Sequence, residues 1–313
     1  MLAYAGRRLL ATLPVMGFVA LLVFSLLYVA PGDPAAIIAG DQASPEDVAR
    51  IRASLGLDRS FPVRFGEWLW NVLHGDLGTS IFANLPVAHM IGQRVEPTLS
   101  LMLLTLLLSV GVAVPLGVLA AARAGTWLDR LLMLVAVLGF SVPVFVVGYL
   151  LAHVFALSLD WLPVQGYTPI SNGFWPWLRN LILPTLALSG VYTALIARTT
   201  RAAMLEVLSQ DYVRTARAKG LAQAPILFVH ALKNAAVPIV TVVGLGVALL
   251  IGGAVVTESV FAIPGIGRLV VDAILRRDYP VIQGVTLLFS AVYVLVNLGV
   301  DLLYTLFDPR IGR

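Results

Sequence analysis

TLSLMLLTLLLSVGVAVPLGVLAAA, residues Thr98–Ala122, runs for 25 positions without a charged side chain. A hydrocarbon core about 30 Å thick is crossed by roughly 20 helical residues, so this stretch by itself places the chain in a bilayer. Five more stretches read the same way. Leu9–Ala30 precedes it, and Leu131–Leu159, Leu181–Ala197, Ala235–Thr257 and Val281–Val300 follow, the Leu181 stretch being the shortest. Proline interrupts the runs at Pro14, Pro115, Pro143 and Pro184. Membrane helices tolerate such breaks because neighbouring helices or water re-satisfy the freed backbone groups. The expectation is an all-α membrane protein with six transmembrane helices.

Composition agrees. Of 313 residues, 59% are apolar and 12% charged, against roughly 25% charged in soluble domains; the mean hydropathy is +0.92. That excludes a disordered chain and a conventional cytosolic enzyme. The 21 Lys and Arg are spread along the sequence and leave a net charge of only +4, so no dense basic patch exists for nucleic acid. With no cysteine, disulfides and thiolate metal sites are excluded. His74, His89, His153 and His230 show no ligand spacing, and Lys219 and Lys233, the two lysines, are followed by Gly and Asn. No phosphate-binding GxxxxGK[ST] loop is present, and the expectation is a non-enzyme that binds no cofactor or metal itself.

Arg7 and Arg8 precede the first apolar run, as in a signal peptide. The run is too long for one, however, and ends in Pro31-Gly32-Asp33-Pro34 rather than a cleavage site; a retained span is expected. With the N-terminus inside, the inner segments carry twelve Lys/Arg against five acids and the outer ones nine against twelve. The positive-inside rule then puts both termini in the cytoplasm.

Three loops are long. Gly32–Pro97 carries Phe61, Phe65, Trp68, Trp70 and the Gly75-Asp76-Leu77-Gly78 turn, read either as a solvated spacer or as a small packed cap at the membrane interface. Glu258–Pro280 contains Phe261-Ala262-Ile263-Pro264-Gly265-Ile266-Gly267, a rigid turn signature. Arg198–Asn234 holds half of the inner cations. Within it, Ser209 reads as an N-cap, Gln210 and Asp211 as the first turn, Arg214, Arg217 and Lys219 as later turns, and Gly220 as a left-handed terminator. A helix about 15 Å long is marginal alone and must pack on something. It is either a basic connector touching anionic lipid or a docking helix for a cytoplasmic partner.

His153, Asn297 and Asp301 lie in or at the ends of spans. His153 and Asn297 are candidates to line a pore; the alternative is a hydrogen bond between helices. The spans hold no mid-membrane carboxylate, unlike those expected of a proton-coupled carrier, and no internal repeat marks a secondary transporter. Ser141, Ser189 and His153 lack the context of an intramembrane protease.

Pro31-Gly32-Asp33-Pro34, Leu55-Gly56-Leu57-Asp58, Gly75-Asp76-Leu77-Gly78-Thr79-Ser80, YVRTARAKG at Tyr212–Gly220, ESVFAIPGIG at Glu258–Gly267, Arg277-Asp278-Tyr279-Pro280 and Asp308-Pro309-Arg310 together resemble the B-type permeases of the oligopeptide/dipeptide/nickel class of ABC importers. The resemblance covers nearly the whole chain. It implies a type I ABC importer permease fold in a bacterial inner membrane, with residues 1–94 forming the first span and outer loop, 95–304 the permease core with its coupling loop at 198–234, and 305–313 a cytoplasmic tail. It further implies a second homologous permease, two ATP-binding subunits that use ATP and Mg, and an extracytoplasmic substrate-binding protein. The coupling loop of such permeases follows Glu-Ala-Ala, three residues, Gly. Here Gly220 matches the glycine and Ala216 the second alanine, while Arg214 and Thr215 stand in place of Glu and Ala. Ser209, Asp211, Tyr212, Arg214, Ala216, Arg217, Lys219 and Gly220 are thereby implied to meet the ATP-binding subunit, moving as a rigid lever during alternating access. Trp68, Trp70, Asp76, Glu258, Phe261, Pro264 and Gly265 are implied to meet the binding protein or form an outer gate. Peptides are the expected cargo, with nickel chelates, glutathione and saccharides as alternatives.

Overall fold

The computed structural model describes residues 2–29, 34–39, 43–54 and 56–307. Pro31-Gly32-Asp33, Leu55 and Asp308-Pro309-Arg310 of the quoted motifs lie outside them. The elements are α1 (Leu2–Val29), α2 (Pro34–Ala39), α3 (Pro45–Ser54), α4 (Phe61–Leu73), α5 (Val87–Gly92), α6 (Val95–Ala122), α7 (Trp127–Ser141) and α8 (Val144–Leu151), which continues as a π-helical turn, Ala152–Ser158. After a loop come α9 (Phe174–Leu208), α10 (Asp211–Ala218), α11 (Gln223–Pro225), a π-helical turn Ile226–Ala231, α12 (Leu232–Asn234), α13 (Ala236–Val260), α14 (Ile266–Arg276) and α15 (Tyr279–Phe307). Among the described residues the only strand-like pairing is one antiparallel bridge, Thr79–Pro86.

Among the described residues five helical stretches are long and apolar enough to cross a membrane: Leu10–Val29, Val87–Ala122, Phe174–Leu208, Ala236–Val260 and Tyr279–Leu303. The third expected span, Leu131–Leu159, is not straight. α7 and α8 meet at 98°. Pro143 has no N–H to continue the ladder and drives its predecessor out of the helical region; Val142 accordingly sits at φ −90°, ψ 125°. Pro14, Pro115 and Pro184 stay inside continuous helices.

The fourth span also departs from expectation. Hydropathy stops at Ala197, but α9 continues to Leu208, 35 residues in all, or about 52 Å at 1.5 Å per residue. Arg198 and Arg201 therefore belong to a helix rather than to a loop.

The chain divides into two compact units. The first comprises Val95–Arg268 with both chain ends. Its core is α6 against α9 with α7, α8 and α13 around them, built on Leu101, Leu181, Leu188, Ile196 and Leu250. Small residues set the α6–α9 distance, as in other membrane helix pairs. A Cβ on Gly117 would lie 2.7 Å from the Ala197 carbonyl and 2.6 Å from Thr200 Cβ. The second unit comprises Leu9–Arg94 and Leu269–Val292. There Ala20 and Val23 of α1 and Leu287 of α15 are buried together with Trp68, Leu69 and Val72 of α4 packed against them.

Candidate functional site

α10 follows α9 directly. Ser209 does not open it: the Ser209 hydroxyl donates back to the Glu206 carbonyl at 2.7 Å, and Ser209 is the C-cap of α9. Gln210, extended at φ −71° and ψ 149°, is the N-cap of α10 and makes no side-chain cap bond. The far end follows expectation. Gly220 sits at φ +80°, Gly220 N–H donates to the Arg217 carbonyl at 2.9 Å and Leu221 N–H to the Ala216 carbonyl at 3.2 Å, the paired bonds of a Schellman terminator. Only Val213 is buried, and α10 packs on the Ile226–Ala231 turn. Asp211, Tyr212, Arg214, Arg217 and Lys219 are exposed, Ala216 half-buried. Arg214 and Asp211 form an ion pair at 3.3 Å, too exposed to hold the helix in place. α10 is a short cationic helix, seated by one valine and sharply ended, with most of its surface free.

The residues expected to present an outer surface divide. Pro264 is exposed, whereas Glu258, Phe261 and Gly265 are buried. Glu258, at 0% exposure, accepts from the Thr98 hydroxyl at 2.6 Å and from Arg268 N–H at 2.8 Å. Thr98 Oγ1 in turn accepts from Ile266 N–H at 2.8 Å. The carboxylate thus satisfies backbone donors of the first turn of α14, which have no partner within the helix, and ties that turn to α6. Gly265 is required there, because a Cβ would lie 2.2 Å from the Glu258 carboxylate. Phe261 lies against Gly148 of α8, and its carbonyl accepts from Gly166 N–H at 2.9 Å. These side chains shape the turn from within.

In the second unit Trp68 is half-buried against Phe24, while Trp70 is exposed. Asp76 is exposed and closes its own turn by accepting from Gly78 N–H at 2.8 Å. Asp278, buried at the start of α15, accepts from the Ser80 hydroxyl at 2.5 Å and from Ile81 N–H at 3.2 Å, fixing the loop that follows the Gly75–Ser80 motif. His153 and Asn297 are exposed on this chain, and Asn297 Nδ2 donates to the Tyr293 carbonyl at 3.1 Å. The structure does not bring them together with α10 or with the Glu258 turn into one site.

Sequence reasoning missed two ties. Asp129, capped within Thr126–Asp129, holds Arg201 of α9; Thr-x-x-Asp was a readable start signal, but its partner was not. Glu96 accepts from the Tyr167 hydroxyl and from Ile170 N–H, both at 2.9 Å. These bonds pin the loop before α9 to the start of α6, and burial pushes the Tyr167 hydroxyl above its ordinary pKa, so it remains a donor.

Against known proteins, residues 113–313 match the family model described as binding-protein-dependent transport system inner membrane component, and residues 1–102 match the model of its N-terminal region. The chain is 57% identical over 308 residues, 98% of each sequence, to a probable peptide ABC transporter permease protein, y4tP, of Sinorhizobium fredii. It is 43% identical over 311 residues, 99% of each, to the glutathione transport system permease protein GsiC of Salmonella typhimurium. A solved structure of the MetNI methionine ABC transporter in an inward-facing conformation matches with TM-score 0.59 at 18% identity, over 70% of this chain and 96% of that one.

Proposed function

We infer the function of this chain from its family: it belongs to the binding-protein-dependent transport system inner membrane components. It is an ABC importer permease of the peptide class and crosses the inner membrane several times.

We propose that it carries di- or oligopeptides and forms half of a pore with a second, similar permease. Two ATP-binding subunits supply the energy with ATP and Mg, and a substrate-binding protein delivers the cargo from outside. Both termini are cytoplasmic, residues 1–94 form the first span and outer loop, 95–304 the core, and 305–313 a tail. The observation that carries the mechanism is α10: a cationic helix with a free outer surface, joined to the end of the long α9. ATP-driven closure of the partner dimer displaces α10, α9 transmits the displacement into the membrane, and the pore opens to the outside; hydrolysis resets it. Such coupling needs an element with two arrangements biased from both ends. Pro264 and Asp76, exposed on this chain, are candidates to meet the binding protein. His153 and Asn297 are candidates to line the pore.

A second reading keeps the architecture and makes glutathione, itself a small peptide, the cargo; the 43% identity to a glutathione permease favours it. Uptake of labelled dipeptides, tripeptides, glutathione and nickel in cells lacking this chain, with and without ATP depletion, separates them. Loss of ATP-dependent dipeptide and tripeptide uptake supports the first reading, and loss of glutathione uptake alone the second. Loss of neither rejects both.

A further inference from the structure

The segment between the first two spans contains a helix whose packing places it deeper than a loop. α1 offers a ruler. Its apolar span, Leu10–Val29, is 20 residues long, about 30 Å at 1.5 Å per residue, which equals the hydrocarbon thickness. With Arg7 and Arg8 just ahead of it, α1 has no slack to slide outward, so Val29 marks one edge of the hydrocarbon.

α4 descends from that edge alongside α1. Near the edge, the Phe61 ring meets Tyr28 at 5.0 Å and Phe24 at 5.3 Å between centroids. Further down, Phe65 and Trp68 meet Phe24. Trp68, Leu69 and Val72 pack against the cluster of Ala20, Val23 and Leu287. Ala20 and Val23 are nine and six positions inside Val29, a depth of about 9–14 Å. Leu287 is eight positions inside the start of α15, about 12 Å. Both rulers give a similar depth, in the deeper half of the roughly 15 Å that one leaflet contributes to the hydrocarbon.

The sides of α4 fit that depth. One side packs on α1. A second, with Glu67 and Asn71, lines a cavity of about 270 Å³ shared with Arg59, Arg64 and Gln283, where Arg59 donates to Glu67 at 2.6 Å and Arg64 donates to the Tyr28 hydroxyl of α1. The third carries Val63, Trp70 and Leu73, exposed at 51%, 65% and 73%. At 100° per residue these three fall within about 80° of arc. α1 likewise exposes apolar side chains, Leu22 and Leu26 among them.

We propose that α4 is embedded in the leaflet at the C-terminal end of α1, with Val63, Trp70 and Leu73 in contact with lipid acyl chains. This stands on the packing of α1, α4 and α15 and does not depend on which solute is carried. It makes Trp70 a membrane anchor rather than a contact for the binding protein.

This chain has no native cysteine, so each introduced one is its single labelling site, and the same labelling of the parent transporter gives the background. Single-cysteine variants Val63→Cys, Trp70→Cys and Leu73→Cys are spin-labelled in the assembled transporter in phospholipid vesicles. Collision with oxygen and with a water-soluble nickel chelate is then compared with a Leu22→Cys calibrator on the lipid-facing side of α1. Labels at 63, 70 and 73 are expected to collide with oxygen as readily as the calibrator and at least fivefold less with the chelate than a label at Asp76. Chelate access at 70 and 73 equal to that at Asp76 overturns the proposal, as does shielding from both reagents, which would mean that a protein covers the stripe. If Trp70→Cys fails to assemble, Val63→Cys and Leu73→Cys read the same side of the helix.

Discussion

Arg201 and Asp129 meet through two charge-assisted hydrogen bonds, 2.5 Å from Nε to Oδ1 and 2.7 Å from Nη2 to Oδ2. The Asp129 side chain is 4% exposed and that of Arg201 27%. The pair joins the first turn of α7 to the stretch of α9 that leads to α10. Breaking a buried pair costs about 3–5 kcal/mol, and the partial exposure of Arg201 reduces that to about 2–3. Asp129→Ala is therefore expected to lower the melting temperature of the purified permease. Arg201→Lys should recover part of the loss compared with Arg201→Ala, because an ammonium cannot reproduce the two-pronged geometry. Equal melting of parent and Asp129→Ala would show that the pair contributes nothing.

Gly220 offers a test of coupling. At φ +80° a methyl group meets no neighbour within 4 Å, so Gly220→Ala adds only backbone strain, about 1–2 kcal/mol. Gly220→Asn adds less, and Gly220→Pro also removes the N–H given to Arg217. The expected result is ATP hydrolysis that persists while uptake falls, most in Pro, less in Ala and least in Asn. Ala216→Trp, beside the one anchoring valine, should behave like Pro. Parental uptake in all four would remove α10 from the coupling path.

Glu258 and Thr98 are expected to be strongly coupled. Thr98→Val deletes a donor to the carboxylate and the acceptor for Ile266 N–H; Glu258→Gln weakens the acceptor for Arg268 N–H. Each should cost about 1–3 kcal/mol through unsatisfied buried groups. The double variant should cost less than the sum by 0.5 kcal/mol or more, measured by thermal or denaturant unfolding. Additive effects would show that the hydroxyl and the carboxylate act separately.

Ser80→Ala removes one of the two bonds to Asp278 and leaves a buried carboxylate oxygen short of a donor. A loss of about 1–2 kcal/mol is expected, local to the loop after Gly75–Ser80. Limited proteolysis should cut within residues 81–86 several times faster than in the parent, with cutting elsewhere unchanged. An unchanged rate there would mean that Asp278 does not hold the loop.

The spans were legible because 20 charge-free residues are a property of composition, and Thr98–Ala122 could be nothing else. The end of α9 was not. Hydropathy stops at Arg198, whereas the backbone continues, with Ala203 and Met204 packed beside Val118 and Ala121 and Arg201 held by Asp129, 72 positions upstream. Ser209 read as an N-cap and is the C-cap of α9, because local sequence does not decide whether a serine closes one helix or opens the next. Gly220 was legible because little else adopts its backbone angle. The role of Glu258 was hidden, since Thr98 lies 160 positions away and a carboxylate beside a turn ordinarily faces water.

The right-angled junction of α7 and α8 ties this crossing to the thickness of the bilayer. Laid end to end, its two 15-residue legs would measure about 45 Å. Folded through 98°, their outer ends are about 30 Å apart, the hydrocarbon thickness, when both legs lean equally. Opening the angle lengthens the crossing and pushes apolar residues into water, while closing it draws the polar ends inward. With the two legs making one crossing, a thicker bilayer is expected to favour a wider elbow.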